Sequence, residues 1–188
     1  MKSRSAHHRL QSGVTLVELL IVIVITSVLA AIAIPSYRRM VVSSKVSTMV
    51  SDLHSSLLLA RSEALKRSVS IGICKTTNPS DTTPTCNSAE DTLGWATGWM
   101  IYVDTNGNKS RDTNDAIVQV FGPYLNSASE GSITSDAANE TVTFGITGQT
   151  FVKTQFVINA PSAYSSETRA VCLSIGGRAK VEQANACP

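Results

Sequence analysis

Histidine is scarce in this chain, and with it most of the apparatus of catalysis. Of 3 histidines, His7 and His8 lie in the first 13 residues, leaving His54 alone beyond them. His54 falls in a helical pattern, where it is expected to be an exposed surface residue. No nucleophile elbow, phosphate loop or metal-ligand spacing accompanies it, which argues against an enzyme and against a cofactor. Cysteine is limited to Cys74, Cys86, Cys172 and Cys187, with no CxxC pair and no histidine nearby. That excludes the usual zinc arrangements and favours disulfides, hence an oxidising compartment for the residues that carry them. Four cysteines allow three connectivities; Cys74–Cys86 with Cys172–Cys187 is the local one. Aromatic residues make up only 5% of the chain, and Trp95 and Trp99 flank a glycine-containing turn. Core packing is the better reading of that pair than a base-stacking platform.

Acidic residues are absent from MKSRSAHHRLQSG, which carries Lys2, Arg4 and Arg9. The remainder is close to neutral, with 13 bases against 14 acids, but unevenly so. Residues 36–74 are basic, residues 75–140 hold nine acids against Lys75, Lys109 and Arg111, and residues 141–188 are mildly basic again. At 188 residues the chain suits one hydrophobic core with an appended helix rather than two full domains.

What the sequence does have is a long apolar run, GVTLVELLIVIVITSVLAAIAIP (13–35). Val14 to Ile34, at about 1.5 Å per residue, is enough to cross a hydrocarbon core of roughly 30 Å. The run is longer than a secretory signal core and lacks a small-residue cleavage site at its end. A plain signal anchor fits its length and its basic leader, but neither reading explains Glu18, because a carboxylate in a bilayer is costly without a partner. After Pro35, apolar residues recur at three and four through Val42, Val46, Met49, Val50, Leu53, Leu57, Ala60 and Ala64, predicting an amphipathic helix to about Lys66. Pro35 should kink or locally melt the element.

Beyond the helix the period changes to two. SVSIGIC (68–74), WMIYV (99–103), AIVQVF (116–121), TVTF (141–144), FVKTQFVI (151–158) and AVCLSI (170–175) read as strands between polar, turn-rich loops. The expected fold is α+β: a stalk helix over residues 14–67, membrane-spanning in its half 14–34, and a β-rich head over 68–188 with the helix packed on an antiparallel sheet.

The leader ending in Gly13 and the following VTLVELLIVIVITSVLAAIAIPSY resemble the class III signal of type IV pilins and pseudopilins. Glycine at the cut, a fifth-position glutamate and a proline 22 residues after the glycine fall where that family has them; Val14 departs from its usual aromatic or methionine. The resemblance implies a type IV pilin fold, a cleaved leader 1–13, and cleavage after Gly13 with methylation of Val14 by a prepilin peptidase. It also implies residence in the inner membrane as a single-pass protein, then assembly with other pilins into a surface filament. There Glu18 would pair with the amino terminus of a neighbouring subunit, a contact that sets register.

LLLARSEALKRSVSIGIC, GWATGWMIYVDTNGNKSRDTNDAIV and LSIGGRAKV are in turn similar to the FimT/FimU minor pilins and the GspH pseudopilin group. Two stretches of the head carry candidate chemistry. In DTNGNKSRDTND (104–115), Asp104, Asn106, Asn108 and Asp112 form a weak calcium candidate, but Gly107 is fourth rather than sixth and the twelfth residue is Asp115 rather than glutamate. A solvated turn built on Asx hydrogen bonds is the stronger reading. In GGRAK (176–180), Arg178 and Lys180 are two apart on an extended segment and share a face, so they suit adjacent phosphates. In FimT-like pilins a G-R-x-R stretch here binds DNA; Lys180 keeps the charge of the final arginine and loses its guanidinium geometry. Lys153 and Arg169 are expected to extend the patch. The resemblance thus implies a minor pilin that contacts double-stranded DNA during natural transformation, the alternatives being a GspH-type pseudopilin of type II secretion or a pilin serving assembly alone.

Overall fold

The computed structural model describes residues 14–137, 140–183 and Cys187, so Gly13 and the leader 1–13 lie outside the described residues. The chain divides into two compact units, residues 1–40 and 41–188. Helix α1 (Leu16–Arg67) contributes to both.

In the first unit the helix starts on a side-chain cap, with Thr15 Oγ1 accepting the Glu18 N–H at 3.2 Å. Threonine at this position satisfies one of the N–H groups left without an intrahelical partner, and Glu18 in the first turn complements the helix dipole. From Val14 onward the large apolar side chains are exposed, which suits a lipid or protein environment rather than water. The helix passes through Pro35 without a break, so the expected local melting does not occur. Proline removes a single hydrogen bond, the one its N–H would make to Ala31, and the turn before it contains the small side chains of Ala31 and Ala33.

The second unit holds the core. Val46, Met49, Val50, Leu53, Leu57, Ala60 and Ala64 are buried along one face of α1, as the spacing predicts. Residues such as Leu53 and Leu57, almost fully buried, contribute about 1.5–3 kcal/mol each by leaving water. The helix ends where Glu63 binds Lys66 at 3.5 Å and Arg67 at 2.6 Å, and Ser68 takes the left-handed conformation (φ +53°) that turns the chain into the first strand.

The head contains two antiparallel four-stranded sheets rather than the one expected. The first has the order β3-β2-β1-β5, from β1 (Ser70–Lys75), β2 (Trp99–Asp104), β3 (Ile117–Phe121) and β5 (Thr141–Phe144). The second has the order β4-β6-β7-β8, from β4 (Ser132–Ser135), β6 (Thr154–Asn159), β7 (Arg169–Leu173) and β8 (Ala179–Gln183). Strand β4 falls in a stretch expected as loop, and β8 continues the extended segment expected at Arg178 and Lys180. Phe151 and Val152, expected in a strand, precede β6 and are exposed, with the Lys109 ammonium 4.0 Å over the Phe151 ring.

The two tryptophans tie the helix to both sheets. Trp99 stacks with Tyr124 (centroids 4.8 Å apart) and Phe121 (5.7 Å), and its indole N–H donates to Ser56 Oγ at 2.8 Å. Tyr124 in turn donates its hydroxyl to Asp52 at 2.9 Å. Burial, with Asp52 beside it, raises the Tyr124 pKa, so the hydroxyl stays protonated as a donor. Trp95 meets Phe156 of β6 edge-on at 4.9 Å. At Gly72, opposite Tyr102 in the β1–β2 ladder, a Cβ would stand 2.2 Å from the tyrosine ring, so only glycine fits.

Candidate functional site

Hairpin β7–β8 positions the GGRAK cations. Gly177 donates its N–H to Ser174 O at 2.8 Å, and Ser174 donates to Arg178 O at 3.0 Å, closing a three-residue loop whose last member is Gly177 at φ +70°. This is the type I turn with a following left-handed residue that three-residue hairpins favour. A side chain at Gly177 would also strike Gly148 O at 2.0 Å, whereas Gly176 has no such neighbour. Arg61 of α1 donates to Gly177 O at 3.2 Å and fastens the turn to the helix. Nothing in the sequence marked Arg61 for this role.

From that turn, register fixes the faces. Lys180 lies opposite Cys172, and Cys172 opposite Gln155, so all three share one face of the second sheet, with Arg178 two residues before Lys180 on the same side. Lys153 precedes β6 on that face. Arg178, Lys180 and Lys153 are exposed, and all three line one concave cavity of about 390 Å³ together with Gln155, Cys172 and Cys187. The Cys172–Cys187 disulfide, with Cα atoms 5.5 Å apart, forms part of the wall. The other bridge joins Cys74 to Cys86 at 5.6 Å, so the structure has the local pairing.

Two acids temper the group. Lys180 is ion-paired with Glu182, and Asp136 borders the cavity. Arg169, expected with the others, is not brought to them. It lies three residues from Cys172, on the alternate face of β7, and its guanidinium donates to Ser166 O at 3.0 Å and Thr168 O at 2.9 Å.

The 104–115 loop uses its carboxylates internally. Buried Asp104 accepts from Gly107 and Lys109 at 2.9 Å and from Asn108 at 3.1 Å. Asp112 accepts from Asn106 at 2.8 Å and Asn108 at 2.9 Å, and Asp115 accepts from the N–H groups of Thr105 and Asp112. Among the described residues there is no group of three or more His, Cys, Asp or Glu arranged to hold a metal. These hydrogen bonds build the stretch as an Asx-bonded turn. His54, expected on the surface, is half-buried, with Nε2 3.3 Å from Ala179 O at the start of β8.

The remaining candidates lie at the helix start. Gly13 is outside the described residues, Val14 is the first described residue, and Glu18 is exposed one turn into α1. By length and composition α1 is able to cross a membrane.

Comparison with known proteins gives concordant results for the two units. Residues 8–34 match the prokaryotic N-terminal methylation motif, and residues 50–177 match the family described as type II transport protein GspH. A fimbrial protein of Pseudomonas aeruginosa is 32% identical over 65% of this chain and 76% of its own length. The type IV major fimbrial protein FimA of Dichelobacter nodosus is 51% identical over 43 residues, 23% of this chain and 28% of FimA. The crystal structure of the P. aeruginosa type IV minor pilin FimU superposes with a TM-score of 0.55, covering 77% of this chain and 93% of that one at 18% identity, a likeness of fold.

Proposed function

The chain belongs to the GspH-type family of pilin-like proteins, and from that premise we propose that it is a minor type IV pilin whose head binds DNA through its phosphate backbone. Its role is structural and adhesive rather than enzymatic. A prepilin peptidase removes residues 1–13 and methylates Val14, and residues 14–34 hold the subunit in the inner membrane until assembly. In the filament, Glu18 meets the amino terminus of a neighbouring subunit, so the carboxylate that is expensive in lipid is compensated by an opposite charge. Strand β8 and its turn then present Arg178 and Lys180, with Lys153 beside them, toward DNA. The observation that carries the DNA reading is this convergence of three exposed cations from two segments on one concave face. Arg169 takes no part.

The test is a titration of the full chain in detergent micelles with labelled duplex DNA at several salt concentrations. Two or three phosphate contacts give a slope of log K against log salt of about −1.8 to −2.7. Arg178→Ala and Lys180→Ala should each reduce that slope by about 1. Absence of binding at low salt, or binding unchanged in the double variant, refutes the DNA reading. The matched family's description favours one other use, as a pseudopilin of type II secretion. Deleting the gene separates the two, since a minor pilin is needed for piliation and a pseudopilin for export.

A further inference from the structure

Because the cations rim a cavity rather than a ridge, we infer that this site takes an unpaired nucleotide, so single-stranded DNA or a frayed end is its preferred form. The inference rests on the DNA reading above and narrows it to one kind of DNA. At about 390 Å³ the cavity lies in the lower part of the roughly 300–1,000 Å³ range of small-molecule sites, room for a base with its sugar. A duplex backbone is convex, and its bases cannot enter a cavity while they remain stacked and paired.

The lining suits a nucleotide in three respects. Lys153 stands before β6 while Arg178 stands at the turn into β8 and Lys180 within it, so cations occupy both sides of the opening and can hold the phosphates before and after an inserted base. Gln155, two residues after Lys153 on the same face of β6, carries an amide that both donates and accepts, and so can meet any base edge without selecting one. The Cys172–Cys187 disulfide supplies a polarisable, apolar wall against which a base or sugar can lie. The charge balance points the same way. With Glu182 paired to Lys180 and Asp136 at the cavity, the patch is only modestly cationic, which favours an added base contact over phosphate attraction alone.

The experiment compares three probes on the full chain in detergent micelles: a short single strand, a duplex of equal length, and an abasic strand with the same phosphates. The intact single strand should bind at least about fivefold more tightly than either other probe, the lower end of what one base contact contributes. In the paired Cys172→Ser, Cys187→Ser variant, which removes the wall and leaves all three cations, the ratio of single-strand to duplex affinity should fall to about one. Equal or stronger binding of duplex or abasic strand by the wild type overturns this inference and leaves the phosphate-binding reading standing. An advantage that survives loss of the disulfide also overturns it. Binding of none of the three at low salt overturns both.

Discussion

Removing Asp91 should destabilise the head far more than removing Lys75, although the two are partners in one ion pair. Lys75, at the end of β1, is an almost fully buried lysine, its side chain 1% exposed, and its ammonium binds Asp91 Oδ2 at 2.8 Å and the Ala89 carbonyl. Asp91 is less enclosed, with its side chain 31% exposed, and its second oxygen caps the turn ahead by accepting from Leu93 at 3.0 Å and Gly94 at 2.6 Å. Asp91→Ala leaves a charge in the core with one carbonyl for company and strips two N–H groups of their acceptor. Breaking a buried pair in this way costs about 3–5 kcal/mol, and the partial exposure of Asp91 sets the lower figure. Lys75→Met instead fills the same volume with an uncharged side chain. Exchanging a buried ion for an apolar group of similar size is commonly neutral or stabilising, so a change within about 1.5 kcal/mol is expected. Trp95 and Trp99 are both buried, so their fluorescence reports unfolding in urea without added labels. At about 1–3 kcal/mol/M, a loss of 3 kcal/mol moves the midpoint down by about 1–3 M. A Lys75→Met variant as unstable as Asp91→Ala would refute the reasoning.

Burial opposes ionisation of Asp91, but hydrogen bonds from Lys75 and the N–H groups of Gly94 and Leu93 outweigh it and hold its pKa below the ordinary 3.8. A depressed carboxylate stabilises the fold fully above its unfolded pKa and ceases to do so as pH falls through the folded one. Acid denaturation below about pH 4 should therefore be shallower in Asp91→Asn, measured against its own stability at neutral pH. Gly177→Ala places a methyl group on a left-handed residue and against Gly148 O, so it should lower stability by at least about 1 kcal/mol in the same urea assay. It should also weaken DNA binding without removing a charge; unchanged binding would show that the turn does not position Arg178. Glu18→Gln should leave membrane insertion intact while lowering incorporation into filaments, measured by blotting membrane and sheared-filament fractions, and equal incorporation would count against the pairing.

The core seam of α1 was legible because its burial follows the helical period, from Val46 to Ala64. Strand β4 was not, since SITS (132–135) offers a single buried apolar side chain, Ile133, within a polar stretch. Strand β8 was legible only as the extended segment carrying Arg178 and Lys180, and its exposed, charged residues hid its extent to Gln183. That unread extent carried over to the site. Once residues 179–183 are a strand, the spacing that pairs Arg178 with Lys180 also places Glu182 beside them, as its ion pair with Lys180 requires. The displacement of Arg169 follows from strand alternation, since a residue three before Cys172 projects from the opposite face of β7. The role of Arg61 depends on a contact between residues 116 positions apart, beyond the reach of local pattern.

Mass spectrometry of this chain recovered from sheared filaments tests the account most directly. Processing after Gly13 and assembly through the helix start predict a peptide that begins at N-methylated Val14 and is present in the filament fraction. A different amino terminus, or absence from filaments while the processed chain accumulates in membranes, would contradict it.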